Sequence, residues 1–442
     1  MNKVAYWMFV SLARVSIGGL LATLGLACSS NAGSAAGSDA GSGPDATTGI
    51  DATGPGDGGA TGKPRGADSM APGAGPHVVT ACPLADAAAA DAGAWENITP
   101  PDVSLDIDAS TGAGRNYGTN AFVIDPNDSA TLYLGTSGQG IYKSTDCGAT
   151  WAHVNTGRNG AVLDKGRQWA MLIDPTDPTI LYANSGYGPQ NGIFKSVNGG
   201  VDWDQILAPD VAKNFIYGGF VGGIAMDPSN HAHLILWPHF NCCDDAGTTC
   251  NDNCVLESRD SGGSWTRLEV KGGTAGEGYG MMMVPDTSSP TLSKHWFLAE
   301  TYGGLYETTD EGVSWHLVAN ANGYAYPSIY ADPNGSYYVP AAFNVIESDS
   351  GGSSWTPIAG SPGADIITGT PTTIYTGSGG CTTVAAKPFQ PFSSAPVSDP
   401  TKWTTIASPA IASGPSALAY DQDHHLLYAS ACLGGFWRGL LP

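Results

Sequence analysis

An eight-residue block that ends in tryptophan recurs five times along the chain. The first copy, STDCGATW, occupies residues 144–151, and the others occupy residues 196–203, 258–265, 308–315 and 348–355. The third position is Asp, Asn or Ser, whose side chain can accept backbone N–H groups in a tight turn. The fifth position is always Gly, which tolerates a positive φ. The block therefore predicts five copies of one turn, each leading into a strand.

The strand after each block has the pattern W-x-x-apolar, which also occurs without the block at Trp95 and Trp403. These seven tryptophans recur at intervals of about 50 residues, the length of one four-stranded β-propeller blade. Each interval also contains two short apolar segments joined by a turn, as in Phe122–Asp125 and Leu132–Gly135. The sequence therefore predicts an all-β fold with seven four-stranded units.

The two ends of the repeat predict how these units close into a ring. The last interval, from about Ser416 to Leu441, supplies three strands, whereas Trp95–Ile98 supplies a single fourth strand. Pairing the two ends in one blade would leave no sheet edge open. The predicted fold is a seven-bladed β-propeller over residues 95–442, closed by an N-terminal strand that joins the C-terminal blade.

Residues 29–94 have a different composition, dominated by Ala, Gly, Ser, Asp and Pro. Such a segment buries too little apolar surface to offset the entropy lost on ordering, so we predict a flexible, acidic tether. The 61 glycines and 30 prolines of the chain therefore have two sources, the tether and the turns of the blades.

Residues 1–28 combine Lys3 and Arg14 with an apolar run that is shorter than a typical transmembrane helix. This pattern indicates a signal peptide. The segment Leu24–Cys28 resembles the bacterial lipoprotein box, although Gly25 stands where that motif usually has Leu. The resemblance implies lipidation of Cys28 and, because Ser29 follows, the outer membrane or cell surface of a Gram-negative bacterium. The alternative is an ordinary secretory signal in which Cys28 has no role.

The eight-residue block resembles the Asp-box, S-x-D-x-G-x-T-W, also called the bacterial neuraminidase repeat. Propellers with this repeat include sialidases, xyloglucan-degrading glycoside hydrolases, photosystem II assembly factors and the sortilin-type receptor domain. The resemblance covers residues 95–442 and implies that the turns are structural and lie away from the ligand face. It is specific for the fold and does not select one activity.

Two activities of that group can be compared with the sequence. Sialidases need three arginines on the substrate carboxylate and an Arg-Ile-Pro motif, and no Arg-Ile-Pro occurs here. Xyloglucanase-like enzymes hold their substrate between two propellers with one acidic residue from each, and this chain has room for one propeller. A glycosidase would need both carboxyl groups on a single face.

In a propeller the ligand face is built by the loops that enter each first strand and those that join each second and third strand. The carboxyl groups expected to be exposed there are those of Asp164, Glu277, Glu300, Asp365, Asp244 and Asp245, of which Glu277, Glu300 and Asp164 are the catalytic candidates. The aromatic residues chosen as ligand contacts are Trp169, Tyr187, Tyr217, Tyr279 and Tyr302, and the same loops carry Tyr117, Phe215, Phe240, Tyr324 and Phe343. The alternative is that the acids are merely solvated and the rings fill space between blades.

Apart from Cys28, the chain has eight cysteines. Four of them, Cys242, Cys243, Cys250 and Cys254, share one insertion, where two disulfides are favoured over a zinc or calcium site because an exported protein meets an oxidising compartment. Cys381 and Cys432 occupy equivalent loops of neighbouring blades and are predicted to pair. Cys82 and Cys147 then remain as a link between tether and propeller.

The net charge of −22 excludes nucleic acid as a partner, because phosphate binding needs clustered cations. We therefore predict a monomeric propeller without cofactor or metal that binds a glycan or an extracellular protein and contacts membrane only through its lipid. The alternative is a glycoside hydrolase of the xyloglucanase-like type.

Overall fold

The structure is a computed structural model that describes residues 77–83, 93–106, 116–208, 221–239, 242–243, 253–270, 278–284, 293–300, 304–320, 328–341, 343–380 and 389–441. All of them belong to one compact unit, Gly66–Pro442. The described strands form seven antiparallel sheets of four strands each. The described ranges contain one helix, α1, of four residues (Gly160–Leu163), and no helix with the length and apolar character needed to cross a membrane.

The strands follow one another around the ring in chain order, apart from β1 (Trp95–Asn97), which belongs to the last blade. Blade 1 contains β2 (Thr119–Ile124), β3 (Leu132–Thr136), β4 (Ile141–Ser144) and β5 (Ala152–His153); blade 2 contains β6 (Met171–Ile173), β7 (Leu181–Ser185), β8 (Gly192–Ser196) and β9 (Asp204–Leu207). Blade 3 contains β10 (Val221–Asp227), β11 (Asn230–Pro238), β12 (Cys254–Ser258) and β13 (Thr266–Glu269); blade 4 contains β14 (Gly278–Val284), β15 (His295–Glu300), β16 (Gly304–Thr308) and β17 (His316–Ala319). Blade 5 contains β18 (Tyr330–Ala331), β19 (Tyr337–Pro340), β20 (Val345–Ser348) and β21 (Thr356–Pro357); blade 6 contains β22 (Ile366–Gly369), β23 (Thr373–Gly377), β24 (Phe392–Pro396) and β25 (Thr404–Thr405). Blade 7 contains β26 (Ala417–Asp421), β27 (Leu426–Ser430) and β28 (Phe436–Leu440) together with β1.

The predicted seven-bladed propeller and its ring closure are confirmed. Strand β1 pairs antiparallel with β28, with Trp95 opposite Gly439. The Trp95 ring stacks on Phe392 of blade 6, at 4.8 Å between ring centroids. The closing strand therefore joins its own blade by hydrogen bonds and the neighbouring blade by ring stacking.

The core lies between adjacent blades, where alternating apolar side chains of facing sheets pack together. The repeat turns close the outer hairpins. In the first copy, Asp146 Oδ1 accepts the Thr150 N–H at 2.8 Å and its Oδ2 accepts the Thr150 hydroxyl at 2.6 Å. The tryptophan after the turn packs inward, and Trp203 is fully buried with its indole N–H donated to the Gly200 carbonyl at 2.8 Å.

Residues 77–83, which the composition assigns to the tether, lie across blades 1 and 7 and are called the strap here. A disulfide joins Cys82 to Cys147 in the first repeat turn. His77 Nε2 lies 3.0 Å from Asp423 Oδ1, and the Thr80 hydroxyl donates to Asp128 at 2.8 Å. The strap therefore spans the junction at which the ring closes.

Candidate functional site

Hairpin alternation separates the propeller into two edges. The turns between first and second strands and the repeat turns lie on one edge. The loops that enter first strands and those joining second to third strands lie on the other, which we call the loop face. The side chains that lie close together on the loop face belong to several different blades.

An aromatic cluster surrounds the buried guanidinium of Arg167 on the loop face. Its carbon Cζ lies 4.3 Å from the ring centre of Tyr117, 4.6 Å from that of Tyr187 and 5.6 Å from that of Trp169. The Trp169 ring also lies 5.8 Å from Tyr117 and 6.2 Å from Tyr187. Cation–π attraction and ring packing therefore hold three aromatic side chains from the first two blades in one place. We call these four residues the Arg167 cluster.

Local backbone geometry positions the Arg167 cluster. The Arg167 N–H donates to the Gly186 carbonyl at 2.8 Å, and the Gly186 N–H donates back to the Arg167 carbonyl at 3.0 Å. Tyr187 has a φ of 57°, a left-handed conformation that is costly for an aromatic residue. This bridge between two loops fixes Trp169 beside Tyr187.

His239 extends the Arg167 cluster toward blade 3. Its Nε2 lies 3.1 Å from the Tyr187 hydroxyl, and its ring lies 6.4 Å from Trp169. Burial, reinforced by the positive charge of Arg167, lowers the pKa of His239 to about 4. His239 is therefore neutral at physiological pH and can accept or donate one hydrogen bond at each ring nitrogen according to its tautomer.

Glu300 lies at the loop-face end of β15 and is buried, with 3% of its surface exposed, rather than exposed as expected. Its side chain follows that of Leu298 into the space between blades 3 and 4, because side chains two apart on a strand point the same way. Desolvation raises the pKa of Glu300 to about 8, although a hydrogen bond with Asn253 opposes the rise. Glu300 is therefore mostly protonated at neutral pH.

The other described acids occupy separate settings. Asp164 Oδ1 accepts hydrogen bonds at 2.8 Å from both His153 and Asn155, all within the loop and strands of blade 1. Burial raises the pKa of Asp365, which lies before β22 in blade 6. Glu277 lies outside the described residues, so its role as a catalytic candidate stays a prediction.

Several other predicted positions also lie outside the described residues: Tyr217, Tyr302, Phe215, Phe240, Tyr324, Asp244, Asp245, Cys28, Cys250 and Cys381. Tyr279 belongs to β14, but its side chain is not described. Phe343 is 86% exposed on the loop face of blade 5.

The six cysteines that the structure describes are all in disulfides. Cys242 pairs with Cys254, and Cys243 and Cys432 are also disulfide-bonded. The predicted bond from Cys432 to Cys381 stays a prediction. Within the described ranges, the one group of side chains with metal-ligand spacing is Cys82, Cys147 and His424, and both of its sulfurs are in the strap disulfide.

The sequence selected Trp169, Tyr187 and Tyr117 for the loop face, whereas Arg167 and His239 were not selected as ligand contacts. A loop arginine or histidine carries no periodic signal. Its one sequence cue is its position in a loop that precedes a first strand or follows a second strand.

The chain forms a seven-bladed β-propeller, and part of it is similar in sequence to xyloglucanases. A xyloglucanase from Hypocrea jecorina (strain QM6a) is 23% identical over 285 residues, which is 59% of this chain and 29% of the relative. The xyloglucanase Xgh74A of Acetivibrio thermocellus is 32% identical over 109 residues, 21% of this chain and 13% of the relative. The chain thus matches less than a third of the length of these relatives.

Among solved structures, YCF48 bound to D1 peptide covers 85% of this chain and 100% of its own, at 14% sequence identity and a TM-score of 0.52. At this identity the likeness concerns the fold alone. No protein-family model matches the chain.

Proposed function

We propose that the propeller binds a neutral polysaccharide on its loop face. The observation that carries the proposal is the Arg167 cluster, because it brings together Trp169 and Tyr187, two of the residues selected from the sequence as ligand contacts. Aromatic rings stack on the C–H faces of sugars, and few polar groups then fix the orientation. The net charge of −22 disfavours a polyanionic ligand.

Similarity to xyloglucanases supports xyloglucan as the first ligand to test. Binding is placed before hydrolysis because the Asp-box xyloglucanases that the sequence resembles use two propellers, and the described residues form one.

The test is calorimetric binding of xyloglucan oligosaccharides to the native chain and to Trp169→Ala and Tyr187→Ala. We expect each substitution to weaken binding by about tenfold or more, because an aromatic anchor is lost. Phe343→Ala is the control, since this exposed ring lies on the same face outside the Arg167 cluster. Full-strength binding by Trp169→Ala would contradict the proposal. If the native chain binds no glycan on a glycan array, a protein ligand is favoured instead; YCF48, which has a similar fold, binds a peptide, D1.

A second candidate function is glycoside hydrolysis with Glu300 as proton donor. It is favoured by one observation, the rise in the pKa of Glu300 to about 8, because a general acid must hold its proton at the working pH. Release of reducing sugar from xyloglucan that disappears in Glu300→Gln would support it. Release that is equal in both proteins would contradict it.

For localisation, we propose an outer-membrane lipoprotein modified at Cys28. The N-terminal sequence supports this through its apolar run followed by Cys28. Incorporation of labelled fatty acid into the chain and its loss in Cys28→Ser tests the modification.

A further inference from the structure

The strap disulfide lies beside an imidazole ring. One ring nitrogen of His424 lies within 4.8 Å of both sulfur atoms, those of Cys82 and Cys147. His424 belongs to the turn between β26 and β27, and Cys147 belongs to the first repeat turn. The three side chains therefore come from blade 7, blade 1 and the strap. They lie on the edge of the propeller opposite the loop face.

The contacts of His424 determine how many hydrogens its ring carries. Its Nδ1 lies 2.7 Å from Asp421 Oδ2, and its Nε2 lies 2.8 Å from the Thr80 carbonyl oxygen. A carboxylate and a carbonyl oxygen accept hydrogen bonds, so each ring nitrogen donates one. The Ser129 hydroxyl, 3.2 Å from Nδ1, donates its own hydrogen to Asp423 Oδ2 at 2.7 Å and therefore also accepts from the ring. The docked strap thus holds His424 as an imidazolium cation.

The two sulfurs of the disulfide differ in their access to solvent. Cys147 is fully buried, whereas Cys82 is half-buried on the strap. Thiol–disulfide exchange begins when a thiolate attacks one sulfur and displaces the other. A thiolate from solvent therefore attacks Cys82, and Cys147 is the sulfur that leaves.

Positive charge surrounds the leaving sulfur. The His424 cation lies within 4.8 Å of it, and Arg438 Nη1 donates to the Cys147 carbonyl at 2.7 Å. A nearby cation stabilises a thiolate, and a sulfur that leaves as a stabilised thiolate leaves faster. Arg438 is also paired with Glu96, at 2.6 Å between Nη2 and Oε2. Its charge is thus partly neutralised, and His424 is the group whose removal should change the rate.

A second disulfide in the same chain has neither feature. Cys242 and Cys254 are both buried and belong to the apolar cluster between blades 2 and 3. Within the described ranges, neither sulfur belongs to a group like the one that His424 forms with the strap disulfide. An apolar surrounding disfavours a thiolate. The bond between Cys242 and Cys254 is therefore an internal reference for an unreactive disulfide.

We infer that the strap disulfide is a thiol–disulfide exchange site for a dithiol reductant, with His424 stabilising the departing Cys147 thiolate. The first thiolate of the reductant bonds to Cys82 Sγ as the bond between the two cysteines breaks. The second thiol gives its proton to the Cys147 thiolate and attacks the mixed disulfide, which releases Cys82. The two cysteines gain two electrons, and the reductant becomes a disulfide. This activity goes beyond the proposed function and does not depend on glycan binding.

The experiment measures how fast each disulfide of the folded native chain is reduced by dithiothreitol at pH 7. Samples taken over time are alkylated with iodoacetamide, and mass spectrometry of the peptides gives the reduced fraction at each cysteine. We expect the bond between Cys82 and Cys147 to be reduced at least about tenfold faster than that between Cys242 and Cys254. Equal rates, or slower reduction of the strap bond, would overturn the inference.

Two variants separate the effect of the His424 charge from a structural effect. His424→Gln keeps an N–H donor for the Thr80 carbonyl but carries no charge, so the strap bond should be reduced about threefold more slowly or less. If His424 only held the strap in place, the loosened strap of this variant would be reduced faster. His425→Gln is the control, because this neighbouring ring contacts the Tyr420 hydroxyl at 3.2 Å instead. Unchanged or faster reduction in His424→Gln, or an equal slowing in both variants, would overturn the inference.

Discussion

The charge of a carboxyl group in this propeller depends on the surroundings of its side chain. The carboxyl group of Glu300 was expected in solvent, yet strand alternation directs it between two blades, where burial favours its neutral form. The Asp residues of the repeat turns show the opposite case. In Asp310, hydrogen bonds from the hydroxyl and N–H of Ser314 lower the pKa. A carboxyl group is thus neutral when buried between two blades and ionised in the repeat turns.

The raised pKa of Glu300 gives a prediction about stability and pH. In the unfolded chain this carboxyl group ionises near its ordinary pKa of 4.5, whereas in the folded chain it stays protonated up to about pH 8. Folding therefore becomes less favourable as pH rises between these values, by up to about 1.4 kcal/mol per pH unit. Glu300→Gln removes this loss, so its advantage in unfolding free energy over the native chain should grow from pH 5 to pH 8. Urea unfolding at each pH measures it, and a constant difference would show that Glu300 ionises normally.

At the scale of the element, the repeat turn is the unit that the sequence predicts best. Each of the five copies has its hydroxyl side chain at the first position and Gly at the fifth, and the structure uses both. In the first copy the Ser144 hydroxyl accepts the Gly148 N–H at 2.8 Å, and Gly148 has a φ of 88°. The sequence could predict these turns because each hydrogen bond within a turn joins residues fewer than five positions apart.

The Arg167 cluster could be predicted only in part, because its residues are distant from one another in the sequence. Propeller topology places Trp169 and Tyr187 on the loop face, so these residues could be selected from the strand pattern alone. Their contact with Arg167 and His239 depends on loops from three blades, for which the sequence has no local signal. The position of Glu300 between two blades depends likewise on which residue ends β15.

The fifth repeat turn provides a matched control for the others, because Ser350 replaces the acidic residue. Asp146→Ala removes three hydrogen bonds, from the Thr150 N–H and hydroxyl and the Ser144 hydroxyl. We expect it to lower the free energy of unfolding by about 1–3 kcal/mol. Ser350→Ala removes weaker, uncharged contacts and should cost about half as much or less. Denaturant unfolding compares the two, and equal costs would mean that the carboxylate is not what stabilises the turn.

The strap is a second element whose contribution can be measured. Its disulfide joins residues separated by 65 positions, and such cross-links typically contribute about 2–5 kcal/mol to stability. The variant with Cys82→Ser and Cys147→Ser should unfold at lower denaturant concentration and be cleaved first near residues 77–83 by protease. The variant is compared with the native chain measured without reductant, so that the native disulfide stays intact. Unchanged stability and protection would mean that the strap's hydrogen bonds alone hold it in place.

At the scale of the whole molecule, histidine–carboxylate pairs recur across the propeller. Within the part of the chain that the structure describes, six histidines contact an acidic side chain: His77, His153, His231, His233, His295 and His424. With 40 acidic residues against 18 Lys and Arg, the chain has few other cationic side chains to place beside its acids.

His233 is the clearest case, because it is fully buried between two acids. Its Nδ1 lies 2.8 Å from Asp227 Oδ2 and its Nε2 lies 2.9 Å from Glu257 Oε1. Although desolvation opposes it, these contacts raise the pKa of His233 above the ordinary 6.5 and lower the pKa values of Asp227 and Glu257. The charged triad is thus fully formed when the acids are ionised and the histidine is protonated.

The signs of these shifts predict a mildly acidic optimum of stability. The histidine contribution is complete below pH 6.5 and is lost as pH rises through the raised pKa of His233, while that of the two acids is lost as pH falls through their lowered pKa values. Glu300 adds a further loss between its ordinary pKa of 4.5 and about pH 8. The melting temperature of the native chain should therefore be highest near about pH 5 and lower at pH 8.5. In His233→Gln, two buried acids lose their positive partner, so this variant should melt lower at pH 6 and differ less from the native chain at pH 8.5. A native melting temperature that is constant from pH 6 to pH 8.5 would contradict a charged His233 at the centre of this triad.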